Sequence, residues 1–171
     1  MNENEEMIPK TEALRQIKLG LRRAALIYHY FAKTLVEELG ENRGTELIRR
    51  AINAYGTHIG NIARDKSLAE GRPLTPENFE SDLPDLAWDG EQVTVDGEER
   101  YRVYNCPLAK EWLELGEQKR ARLYCFVDQA KMKGFNPEYE YVHIKNILDG
   151  DPYCELVIRP LSKNDSQKPI G

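Results

Sequence analysis

The chain has 171 residues, with 24 lysines and arginines against 29 aspartates and glutamates and a formal net charge of −5. That length fits one domain able to bury a core without covalent staples, and the acidic balance lacks the electropositive excess of a nucleic-acid binder. No stretch approaches the ~20 apolar residues that span a bilayer, the start is acidic and polar with no apolar h-region, and the three cysteines are too few and too odd in number for a disulfide framework. The expectation is a soluble, cytoplasmic protein with reduced thiols and neither membrane nor nucleic acid as partner.

Residues 1–10 read as a disordered tail, 11–160 as a single α+β domain and 161–171 as a polar tail. Leu14, Ile17, Leu21, Ala24, Tyr28, Phe31, Leu35 and Leu39 recur at spacings of three and four, the period of an amphipathic helix, and Gly40 supplies its C′ stop. Leu47, Ile48, Ala51, Ile52, Tyr55, Ile59 and Ile62 carry a second helix to about Leu68, ended by Gly71 and Pro73. The pair predicts a helical hairpin over 11–70. Residues 71–90 hold Pro73, Pro76 and Pro84 among acidic side chains with no sustained period, which predicts a long connection of the kind that covers a site.

From Glu91 the period becomes two. Val93-Thr94-Val95 and residues 100–104 predict a hairpin about Asp96-Gly97, a pair suited to a tight turn. Cys106-Pro107 stops the second strand, a short helix over 108–115 ends at Gly116, and a longer one over 118–133 ends at Gly134. Residues 141–148 and 153–159 flank Asp149-Gly150-Asp151-Pro152 as a second antiparallel hairpin. The sum is an α+β fold: an N-terminal helical hairpin packed with a small antiparallel sheet and two further helices, with a pocket between hairpin and sheet.

Cys106, Cys125 and Cys154 each stand beside a structure-starting or structure-turning signal, which suggests that folding gathers them. Cys106, at a helix N-terminus, meets the positive end of the helix dipole, which favours thiolate; it serves equally as a cap or a corner filler. Cys125 and Asp128, at i and i+3, share a helix face about 5–6 Å apart at Cβ. The carboxylate can accept a proton there, yet its charge raises the thiol pKa, so a positive group from His143, Lys145 or Arg122 has to compensate. Cys125 is also at home as a small hydrophobe in the row Leu123, Phe126, Ala130. Cys154 is in phase with Leu156 and Ile158 on the apolar sheet face. If Leu148 pairs with Tyr153, His143, Lys145 and Ile147 join Cys154 on that face, and a one-residue slip reverses this. His29 and His58 read as ordinary helix residues rather than catalysts, and the pairs Arg22-Arg23 and Arg49-Arg50 suit either a substrate carboxylate or solvent. The three thiols with Asp128 or His143 would also complete a tetrahedral zinc site, although the spacing is not diagnostic.

Four segments, in order, carry a family likeness: Tyr104-Asn105-Cys106-Pro107-Leu108, Cys125-Phe126-Val127-Asp128, Gly134-Phe135-Asn136-Pro137 and Gly150-Asp151-Pro152-Tyr153-Cys154. Together with Arg22-Arg23 and Glu38-Leu39-Gly40-Glu41-Asn42-Arg43 they resemble the L-2-amino-thiazoline-4-carboxylic acid hydrolase family over about residues 20–159. The resemblance implies hydrolytic opening of a small cyclic amidine-thioether at a C–N or C–S bond, giving a carbamoyl-cysteine type of product. Such a reaction needs a nucleophile, a proton-handling group and donors for the substrate. Cys125 is the expected nucleophile or substrate ligand, Asp128 the proton acceptor or orienter, Cys106 a second active thiol and His143 the conditional fourth catalytic group. Cys154, Asn136 and Arg23 are the expected substrate contacts. Zinc is the one cofactor in question, a small-molecule substrate is the expected partner, and the apolar strip on the first helix is compatible with a homodimer. A more distant likeness to vinyl-reductase-like ligand-binding domains implies instead a sensor that binds an aromatic or hydrophobic effector and catalyses nothing.

Overall fold

A computed structural model describes residues 7–161; of the two expected tails, residues 1–6 and 162–171 lie outside the described residues. Helices α1 (Lys10–Leu39) and α2 (Glu41–Ala69) form the expected hairpin. Gly40, at φ 78°, turns the chain between them while its N–H still bonds to the Val36 carbonyl. Gly71, at φ +67°, ends the hairpin, and the Arg72 N–H caps it on the Ser67 carbonyl at 2.8 Å. The expected connection over 71–90 is two residues shorter, 71–88, because the following strand starts at Asp89; it contains short 3-10 turns at Pro76–Asn78 and Asp85–Ala87.

Strands β1 (Asp89–Val95) and β2 (Glu98–Asn105) follow. Their turn has positive φ at both Asp96 and Gly97, the left-handed pair that matches strand twist. Then come α3 (Pro107–Glu114), α4 (Gln118–Ala121), α5 (Phe126–Phe135), β3 (Tyr139–Lys145) and β4 (Cys154–Pro160). The sheet is antiparallel throughout, in the order β1-β2-β4-β3.

Two expectations about the second half give way to packing. The helix expected over 118–133 is broken between α4 and α5. The Arg120 carbonyl accepts the Tyr28 hydroxyl at 2.9 Å as well as the Leu123 N–H at 3.3 Å, and residues 122–125 tighten into i,i+3 turns. Cys125 is therefore the residue preceding α5 rather than an interior helical position. Gly134, expected to stop the helix, lies within it. A Cβ there would stand 2.5 Å from the Thr57 carbonyl oxygen of α2, and one at Gly56 would stand 2.6 Å from the Ala130 Cβ. With Gly60 facing the same contact, α2 and α5 meet backbone to backbone.

The hairpin thus packs on α3 and α5, and α5 packs on β3 of the sheet. Trp112 of α3 is 1% exposed, and its indole N–H reaches the Ala25 carbonyl of α1 at 2.9 Å. Met132 and Phe135 of α5 are fully buried among Ala63, Tyr139, Tyr141 and Ile158, each side chain contributing about 1.5–3 kcal/mol by leaving water. Period two separates the sheet faces: Tyr101, Val103, Cys154, Leu156, Tyr141 and His143 point to the helices. On the opposite face Glu155 is clamped by Arg100 and Arg102, both at 2.7 Å. Among the described residues no helix is long and apolar enough to cross a membrane.

Candidate active site

A cleft of about 1020 Å³ opens between the inner sheet face, α3, α5 and the 71–88 connection. Cys106, Cys125, Asp128, His143 and Cys154 all line it. Each arrives by a different local device. Cys106 caps α3, its Sγ accepting the Ala109 N–H at 3.4 Å. Cys125 precedes α5, and Asp128 occupies the first turn of that helix. Cys154 opens β4 opposite Val103, its Sγ accepting the Ile147 N–H at 3.4 Å.

His143 reaches the cleft in a register different from the expected one. It pairs with Leu156, and a bulge follows, so Lys145 pairs with Glu155 on the opposite face. Leu148 does not pair with Tyr153; it is buried in the 3-10 turn Ile147–Asp149. Asn146 causes this: its N–H bonds to Asp151 Oδ2 at 2.8 Å, and its Oδ1 accepts the Leu148 N–H at 2.9 Å, ending the strand. Lys145 turns outward to the Tyr153 hydroxyl at 2.9 Å, so it is not the cation sought for Cys125.

The same asparagine fixes the histidine. Because Oδ1 of Asn146 is an acceptor, its Nδ2 is the donor, and it lies 2.9 Å from His143 Nδ1. Nδ1 must accept, which leaves the single ring proton on Nε2. Nε2 then donates to Asp128 Oδ2 at 3.0 Å. Both imidazole nitrogens are engaged in a side chain only 7% exposed, so His143 orients Asp128 rather than standing free as a base. Oδ1 of Asp128 has no protein hydrogen bond among the described residues.

The thiols are neutral at rest. Burial pushes Cys125 up to about 12, against the opposing pull of the Asn146 amide and the Arg122 guanidinium. Burial likewise pushes Cys106 up to about 12, outweighing the Ala109 and Leu108 backbone amides. The thiolate expected from the helix dipole at Cys106 is therefore not favoured: desolvation of the charged form exceeds a terminal dipole worth about 0.3–1 kcal/mol. Burial also raises the Cys154 thiol. Arg122 is the positive group next to Cys125, held by Asp149 at 2.8 Å.

Two expected substrate contacts lie elsewhere. Arg23 stands on the exposed outer face of α1 beside Leu19, Ile27 and Tyr30, because the apolar positions at Leu21 and Ala25 take the inward face. Asn136 is occupied in holding the chain, donating to the Leu74 carbonyl at 2.8 Å and accepting the Glu138 N–H at 2.9 Å. Among the described residues no group of three or more His, Cys, Asp or Glu side chains is arranged to hold a metal ion.

Sequence reasoning passed over three parts of this region. Asn146 fell inside the strand expected over 141–148. Lys131 fell within the helix expected over 118–133 and was not singled out; it is 2% exposed and pairs with Asp82 of the connection. Tyr55 of α2 donates to the other oxygen of Asp82. A lysine flanked by Ala130 and Met132 was the available signal. The aromatic lining, including Trp88, Tyr101, Tyr124, Tyr139 and Tyr141, was visible only as scattered residues.

The class is thus an α+β domain whose aromatic cleft gathers three thiols and an oriented carboxylate. Residues 21–158 match the L-2-amino-thiazoline-4-carboxylic acid hydrolase family, and the chain belongs to it. No curated protein and no solved structure gives a match.

Proposed function

We propose that the protein hydrolyses a cyclic amidine-thioether of the thiazoline type, opening the ring at its C–S bond in the cleft that holds Cys125 and Asp128. The observation that carries this reading is the meeting in one cleft of Cys125, Cys106, Cys154, Asp128 and His143, residues from four separate elements or their ends, in a chain of a family described as hydrolases of such a ring.

Cys125 Sγ bonds to the amidine carbon while its proton passes to Asp128, which His143 holds in place. The ring C–S bond breaks and the departing sulfur takes that proton, leaving an isothiourea on Cys125. Water then adds to the same carbon, giving its proton to Asp128, and Cys125 leaves as the thiol. The product is a carbamoyl compound with a free thiol, one water having been consumed. Starting from neutral thiol, the nucleophile loses its proton only as it attacks, so Asp128 carries the activation. Cys106 and Cys154 line the wall beside it, and Arg122 limits the repulsion between the Cys125 sulfur and Asp128 as negative charge develops.

Mass-spectrometric detection of the ring-opened product from 2-amino-2-thiazoline, with Cys125→Ser and Asp128→Asn as controls, tests this. The expected result is turnover lost about a hundredfold or more in both variants. Undiminished turnover in Cys125→Ser overturns the assignment of the nucleophile, and tight ring binding with no product in the wild type places the protein among binders rather than hydrolases.

A further inference from the structure

The cleft is far larger than a five-membered ring. Its volume of about 1020 Å³ stands at the top of the roughly 300–1000 Å³ range of sites for drug-sized ligands. It is also elongated. Along β3 the inner face runs from His143 back to Tyr139, and along β4 from Cys154 to Ile158, all four lining the cleft. Four residues of strand span roughly 13 Å. The thiols and Asp128 occupy one end of this trough; Tyr139, Ile158 and Phe79 of the connection occupy the other.

Charge points the same way as shape. Glu77, Glu99 and Asp128 are the lining carboxylates, and among the described lining residues the one lysine or arginine is Lys131. Its ammonium is already paired with Asp82. A substrate carboxylate placed here would lose its water without gaining a free cation, and it would face like charges. An amidinium head meets the opposite situation: a carboxylate with one free oxygen and the faces of Tyr101, Tyr124 and Tyr141.

Resting on the reading of this cleft as the site of ring opening, we propose that the substrate is a cationic cyclic amidine bearing an extended aromatic or apolar body, with no carboxylate on its ring. The head lies against Asp128 and Cys125, and the body runs along the inner sheet face toward Tyr139 and Ile158. The small carboxylated ring implied by the family's description leaves most of the trough filled with water and its anion without a free cation among the described lining residues, the unpartnered donor there being the neutral Trp88 indole N–H.

Equilibrium binding, read by calorimetry and independent of turnover, tests this with three probes: 2-amino-2-thiazoline, its 4-carboxylate, and its 4-(2-naphthyl) derivative. The naphthyl compound is expected to bind at least a hundredfold more tightly than the carboxylate, and the unsubstituted ring more tightly than the carboxylate as well. Ile158→Ala and Tyr139→Ala are expected to weaken the naphthyl compound tenfold or more while changing the unsubstituted ring less than twofold, a selectivity that general misfolding does not produce. Equal or tighter binding of the carboxylate overturns the proposal, as does equal weakening of all probes in both variants. Naphthyl binding without ring opening leaves this inference standing and removes the hydrolytic reading; ring opening of the carboxylate with no naphthyl binding does the reverse.

Discussion

His143 donates its single ring proton from Nε2 to Asp128 Oδ2 across 3.0 Å, and Asn146 Nδ2, 2.9 Å from Nδ1, makes that the tautomer present. The imidazole is thus a positioning residue for the carboxylate. His143→Gln is expected to lower kcat for ring opening by about 10–100-fold, the usual scale for losing an orienting partner, with KM changed less than threefold. Asn146→Asp, which places an acceptor against Nδ1, is expected to move the ring proton to that nitrogen. Nitrogen chemical shifts of the imidazole read the tautomer directly, and an unchanged Nε2–H signal in that variant would contradict this order of donors and acceptors.

The raised thiols make reactivity strongly alkaline. With Cys106 and Cys125 pushed by burial to about 12, the rate of maleimide labelling at each is expected to rise about tenfold per pH unit between 8 and 11, in step with thiolate. A plateau at pH 9 would show ordinary thiols. Stability has the linked sign. A folded-state value above the unfolded one means protection that is complete below the unfolded thiol value near 8.5–9 and lost as pH climbs toward 12. Urea midpoints are expected to fall progressively over that window, and Cys125→Ala is expected to flatten the slope.

Lys131 and Asp82 tie α5 to the connection. Lys131→Met leaves Asp82 without its cation but still in reach of solvent, at an expected loss of about 1 kcal/mol in urea denaturation. Early proteolytic cleavage within residues 71–88 is the accompanying signature. Lys131→Met combined with Asp82→Asn, which removes both charges and keeps an acceptor for Tyr55, is expected to recover a large part of that loss.

Gly60 and Gly134 face each other where α2 crosses α5. Gly60→Ala drives a methyl group into the Lys131 backbone carbonyl, and the expected loss is about 3 kcal/mol because backbone on both sides has to shift. Gly20→Ala, at a helical position whose Cβ meets nothing within 4 Å, is expected to be neutral or stabilising by about 1 kcal/mol.

Much of the fold was legible because its signals are local. Leu21, Ile48 and Ile52 mark helix faces by spacing alone, although Ala24 and Phe31, counted on the first face, are exposed while Ala25 and Ala32 are buried; Gly40 and Gly71 mark the helix ends, and Asp96-Gly97 marks the hairpin. The gathering of Cys106, Cys125 and Cys154 was legible from their neighbouring turn signals. What escaped depends on partners distant in sequence. Nothing near Arg120 reveals that Tyr28 will bond to its carbonyl and interrupt a helix. Gly134 has the composition of a stop, and only α2 lying against it explains its place inside α5. His143 reached the expected face although Leu148 never pairs with Tyr153: the bulge that moved Lys145 away begins after the histidine. Arg23 was judged by charge alone, and the helix phase set by Leu21 and Ala25 turned it outward.

The glycine seam between α2 and α5 also decides how a bulky guest gets in. Two helices in backbone contact leave no side chains between them to give way beneath the reactive end, so adjustment to a long guest falls to residues 71–88, held by contacts at Asn78, Glu80 and Asp82. Turnover of a long substrate would then be paced by releasing those contacts rather than by the bond-making step beneath them.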